Sequence, residues 1–181
     1  MMTKIISIFP IFLLFSLANR QETPISRIAD FDIPESLVFK ADEQGKTLVK
    51  TNYKYLTNVK NAKHLFAKGT TIVGIKDYDK RKVDFLDLNE KKNQWLEIIG
   101  ETKMEKFIIR TEIIQIKNTS FLIMGQYYQD EFAYHILSET KGNAGLSIQV
   151  QFKRDQKEGA EKLIMQILDG IRFHPPAMSN N

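Results

Sequence analysis

The second half of the chain alternates apolar and polar residues with the period of a β-strand. Leu146, Ile148, Val150 and Phe152 alternate with Ser147, Gln149, Gln151 and Lys153. That pattern places one set on a buried face and the other outside. Phe132, Tyr134 and Ile136 share one face of a second strand. Residues 121–128 are apolar on both faces, which predicts a central strand. Residues 107–117 change their apolar face near Ile113-Ile114, which predicts a bulge there. The links Asn118-Thr119-Ser120, Gln129-Asp130 and Gly142-Asn143 are short enough to join only antiparallel neighbours.

Two segments carry helical spacing. From Leu88 to Ile99, residues Leu88, Trp95, Ile98 and Ile99 fall on one side, with Asp87 and Glu90 spaced as a capping box and Gly100 placed as a stop. From Gln156 to Asp169, residues Ala160, Leu163, Ile164, Ile167 and Leu168 form a broad apolar stripe, with Asp155 and Glu158 spaced as a second capping box. This helix is the expected cover of the four-stranded meander. Upstream, residues 36–40 read as a strand and 42–45 as a turn. Thr47, Val49, Thr51, Tyr53 and Tyr55 then alternate with Lys46, Lys50 and Lys54, which predicts a hairpin partner strand. Residues 58–69 are ambiguous, because Tyr55, Val59, Ala62 and Phe66 also fit a helix, and 70–76 read as a short strand. The expected class is α+β: one domain, an antiparallel β-sheet with a middle and a C-terminal helix packed on it.

The ends of the chain read differently. In residues 1–18 Lys4 is the lone charge, an apolar run follows, and Ser16 and Ala18 stand in the small-x-small arrangement of a signal-peptidase site. The run is broken by Pro10 and is shorter than the ~20 apolar residues needed to span a bilayer. It predicts a cleaved signal peptide, a periplasmic or secreted protein, and no transmembrane segment after cleavage. Residues 19–30 form a polar lead-in, 31–173 the domain, and 174–181 a loose tail.

Composition narrows the chemistry. Of 181 residues, 43% are hydrophobic and 27% charged, a globular balance, and there is no cysteine. Thiol catalysis, thiolate metal sites and disulfides are therefore excluded. His64, His135 and His174 are scattered, and no G-x-S-x-G is present. The acids Asp77, Asp79, Asp84, Asp87 and Glu90 are interrupted by Lys80, Arg81 and Lys82, and the glycine of a calcium loop is missing. No catalytic residue, metal ligand or cofactor is predicted. Positive charge is concentrated in residues 40–82, with eleven Lys and Arg against four Asp and Glu. Lys46, Lys50 and Lys54 are the candidate partner-binding residues: on a strand they would share a face, about 13 Å apart, in a row of roughly 27 Å. The predominance of Lys over Arg argues against nucleic acid. The expected function is a non-enzymatic envelope protein whose sheet binds a protein partner or small ligand, with an anionic one matching the basic half. The alternatives are a carrier holding an apolar molecule between sheet and helix, or an enzyme with an unrecognised carboxylate site.

An exported leader, Phe31-Asp32-Ile33-Pro34 at an N-terminal strand pair, a middle helix, a meander and a closing Ile167-Leu168 through Phe173 follow in that order. This order resembles the PsbP-like superfamily, which includes the extrinsic photosystem II protein, the Ran-binding factor Mog and many exported bacterial domains. The resemblance implies the α+β fold and a binding or assembly role. It assigns no site residue.

Overall fold

The computed structural model describes residues 24–56, 59, 62 and 64–175. The expected leader at 1–18, the start of the lead-in and the end of the tail lie outside the described residues. The elements run β1 (Ala29–Phe31), β2 (Val38–Lys40), α1 (Asp42–Asn52), β3 (His64–Lys68), β4 (Thr71–Asp79), α2 (Leu88–Thr102), β5 (Ile108–Ile116), β6 (Thr119–Tyr128), β7 (Glu131–Ser138), β8 (Ala144–Lys153), α3 (Lys157–Asp169) and β9 (Ile171–Phe173). Seven strands form an antiparallel sheet in the order β2-β3-β4-β8-β7-β6-β5. The expected α+β class is the class found.

The alternation read in β8 sets the core. Leu146, Ile148, Val150 and Phe152 are buried with Phe132, Tyr134 and Ile136 of β7 against Ala160, Leu163, Ile164, Ile167 and Leu168 of α3. Phe132, Phe152 and Tyr134 stack with ring centroids 5.4 and 5.7 Å apart. The small β1–β9 ribbon closes this layer, with His174 N donating to Ile28 O at 2.8 Å. The opposite face of the sheet is also covered, in two parts. Val49, Tyr53, Val59 and Ala62 lie on Leu65 and Ile72, while Phe85 and Leu88 lie on Leu122, Met124 and Leu137.

Several local expectations are corrected. The expected turn at 42–45 and strand at 46–55 are replaced by α1, which covers 42–52 and ends in extended backbone at Tyr53. Gly45, Val49 and Tyr53, four apart, are buried on one side, and Thr47 and Thr51 return their hydroxyls to the carbonyls of Glu43 and Thr47. Gly100 does not stop α2, which ends at Lys103 in the left-handed region (φ 54°). Asp87 does cap α2, accepting from the N–H groups of Asn89 and Glu90, while Glu90 accepts from Leu86 N–H. Among the described residues no side chain caps α3; a 3-10 turn at Arg154–Gln156 leads into it. The bulge of β5 lies between Ile108 and Arg110, not at Ile113-Ile114. β6 is apolar on both faces because both faces of the sheet are covered, although it sits one strand from the edge and β8 is the middle strand.

Candidate functional site

The two covers on the outer face of the sheet leave a gap between them. There β4, β8 and β7 present polar side chains in register: Lys76 stands opposite Ser147, Ser147 opposite Leu137, and Gln149 opposite His135. The segment after β4 arches over the gap. It brings Lys82 from a 3-10 turn, then Val83 and Phe85, and α2 adds Lys91. Together they line a half-open cavity of about 330 Å³ that combines three lysines and the acid Asp84 with Tyr78, Ser147, His135 and an apolar wall. A depression along α1 is more open, and its lining residues all come from that one helix.

His135 Nε2 lies 3.0 Å from Ser147 Oγ. Burial first, then the nearby Lys76 and Lys91 charges, push the imidazole down to about 4. The ring is therefore neutral at physiological pH. A base this weak is badly matched to taking a hydroxyl proton near neutrality, so the pair is suited to hydrogen bonding rather than to nucleophilic catalysis. Tyr78 donates to Ser138 O at 2.6 Å and is pushed up to about 12 by burial and by Glu139, so it stays protonated. Lys91 pairs with Asp84 at 3.2 Å, and that contact lowers the Asp84 carboxyl. Lys76 and Lys82 have no carboxylate within salt-bridge distance among the described residues. Gln149 leaves its Oε1 buried without a hydrogen-bond partner among the described residues, on the strand position paired with His135. Turning that amide over would put an N–H donor in its place.

The structure places two of the sequence-predicted lysines on one helix and the third beyond its end. Lys46 is held by Asp42 at 2.8 Å and Glu43 at 3.3 Å. Lys50 is exposed one turn further along α1, a rise of about 6 Å rather than 13 Å. Lys54 lies beyond the helix, with its ammonium over the Tyr55 ring. The 27 Å row does not exist. Among the other candidates, His64 is buried in β3, and His174 lies 3.2 Å from Asp30. Asp77 accepts from Ser26, Asp79 pairs with Arg81, and Asp87 caps α2. Among the described residues no three His, Cys, Asp or Glu cluster as metal ligands would. What sequence reasoning missed is the convergence of Lys76, Lys82, Lys91 and Ser147 on one cavity. The legible signal was the outward placement of His135, Ser147 and Gln149, which on an isolated strand means only solvent.

No family model and no curated protein matches the chain. Among solved structures, the chain is similar to cyanobacterial PsbP (CyanoP) from Synechocystis sp. PCC 6803. The two share 7% identity over 81% of this chain and 86% of the other, with a TM-score of 0.49.

Proposed function

We propose that the chain is an exported, non-enzymatic binding protein, PsbP-like in its order of elements, whose sheet holds a small organic anion. One observation carries this reading: Lys76, Lys82 and Lys91 line a single cavity with Ser147 and a neutral His135. An anion enters a site whose positive charge is only partly answered by Asp84. Ser147 and the His135 ring offer hydrogen bonds, and Val83, Phe85 and Leu137 suit a compact apolar body. Such a mixture of apolar wall and few polar groups is the usual make-up of a small-molecule site.

The alternatives find less support. A carboxylate enzyme needs an acid held protonated. The buried Glu131 is instead held below the usual range: burial raises it, but the N–H groups of Leu56, Lys54 and Tyr55 outweigh that. The interface between sheet and α3 is filled by stacked rings and aliphatic side chains.

The test uses benzoate and phenyl phosphate as probes, with benzyl alcohol as the neutral counterpart. Amide and side-chain NMR shifts should move at Lys76, His135 and Ser147 with the anions and not with the alcohol. Replacing both Lys76 and Lys82 by Gln should weaken anion binding at least about tenfold. Equal binding of the neutral probe, or shifts confined to other surfaces, would refute the anion site. Export is tested by N-terminal sequencing of the protein recovered from the native envelope: the mature chain should begin at Asn19, and an intact Met1 or Met2 overturns cleavage. No helix among the described residues is long and apolar enough to cross a membrane.

A further inference from the structure

At the far end of the sheet from the cavity, three segments distant in sequence bring aromatic rings together on the surface. Tyr55 follows α1, Phe107 precedes β5, and Tyr128 ends β6. The Tyr55 and Tyr128 centroids are 4.9 Å apart, and those of Tyr128 and Phe107 are 5.4 Å apart. Tyr55 and Tyr128 remain 42% and 38% exposed. An ammonium rests on each side of the row, Lys54 at 5.3 Å from the Tyr55 ring and Lys106 at 5.1 Å from the Phe107 ring. Neither has a carboxylate within salt-bridge distance among the described residues.

The patch is held firmly from beneath. The Glu131 side chain, almost fully buried, accepts the N–H groups of Lys54, Tyr55 and Leu56 at 2.7, 2.9 and 2.8 Å. The loop that displays Lys54 and Tyr55 is thus fixed to the start of β7. His135, the nearest cavity residue on the same strand, is four positions from Glu131, about 13 Å along it, so the two places do not share residues.

We propose that this end of the molecule rests on an anionic lipid surface. Tyrosine rings settle at the level of the headgroups, and lysines beside them reach the phosphates. The make-up of the patch separates this from a protein partner. Protein interfaces favour arginine with their aromatic residues and are poor in lysine, whereas here both flanking cations are lysines. The contact is shallow and reversible, because three rings and two charges bury little area.

The experiment is co-sedimentation of the full mature chain with phosphatidylcholine vesicles, with and without phosphatidylglycerol. The variants are Lys54→Gln with Lys106→Gln, Tyr55→Ser with Tyr128→Ser, and a control pair, Lys117→Gln with Lys162→Gln, away from the patch. Circular dichroism establishes that each variant is folded. The wild type should bind the phosphatidylglycerol vesicles and be released by salt. The Lys54/Lys106 pair should lower the partition coefficient at least about tenfold; the tyrosine pair should lower it several-fold, and the control pair should leave it unchanged. The proposal is overturned if the wild type ignores anionic vesicles, if the tyrosine pair binds like the wild type, or if the control pair matches the Lys54/Lys106 loss. Capture by an acidic peptide without capture by vesicles also overturns it.

Discussion

His135 ties the stability of the domain to pH. Its ring is neutral when folded because burial and the ammonium groups of Lys76 and Lys91 oppose protonation; in an unfolded chain it titrates near 6.5. Between those two values the unfolded state binds the extra proton, so stability falls as pH drops from about 6.5 to about 4 and then levels off for this group. The full shift corresponds to about 3 kcal/mol, and partial exposure of the ring reduces that. Denaturant melts across this range should show the loss, and His135→Gln should flatten it. Acid loss due to Glu131 belongs to a lower window, below the ordinary glutamate value, because its folded pKa is depressed. Two glycines separate close packing from mere helix propensity in the same way. A Cβ on Gly74 would lie 2.4 Å from the Ala62 Cβ, and neither atom can turn away. Gly74→Ala should therefore destabilise by about 1–3 kcal/mol. Gly100 lies inside α2 with nothing among the described residues within 4 Å of such a Cβ. Gly100→Ala should stabilise by up to about 1 kcal/mol in the same melts.

Among the elements, α1 shows where the sequence was ambiguous. Lys46, Lys50 and Lys54 are four apart, and that spacing keeps residues on one face of a strand and nearly on one face of a helix alike. The β-branched Thr47, Val49 and Thr51 tilt the choice towards a strand. The helix wins because Gly45, Val49 and Tyr53 form its buried side over Leu65 and Ile72, contacts made with strands that come later in the chain. The meander was legible because β5 to β8 pair with their immediate neighbours. The segment after α1 was not, since it has no repeating pattern and is held by side chains from far away. Glu131 binds three of its N–H groups, and Gln151 bonds Val59 N–H and Leu56 O. Glu131→Gln keeps the shape and removes the charge, so it should cost about 1.5–3 kcal/mol. Hydrogen exchange should accelerate at Lys54, Tyr55 and Leu56 before it does so in β8; unchanged protection there would show that the carboxylate does not secure the loop.

Across the whole molecule, the fold class was readable and the site was not, for one physical reason. Periodicity reports which side of an element is buried, and that suffices to place α3 over β5 to β8. It does not report which polar side chains from separate elements will meet. Lys76, Lys82, Lys91, His135 and Ser147 come from β4, a turn, α2, β7 and β8, and no pair of them forms a spacing that a motif would reveal. The geometry expected of the lysine row differs because the segment is a helix, which also brings Asp42 and Glu43 within one turn of Lys46.

The β1–β9 ribbon has a consequence for how the chain could be cut and rejoined. His174 N–H reaches Ile28 O, and Arg27 N–H reaches Asp77 on β4, so both ends of the described domain stand side by side at one corner of the sheet. A short glycine linker joining His174 to Ser26 would close the chain into a ring without moving either layer. New ends opened in the exposed turn between Lys117 and Asn118 would then leave the rest of the sheet ladder intact. Such a circular permutant should be soluble, give the wild-type circular dichroism spectrum and unfold in one transition. Its order of synthesis would differ, with β6 to β9 emerging before the strands that now precede them.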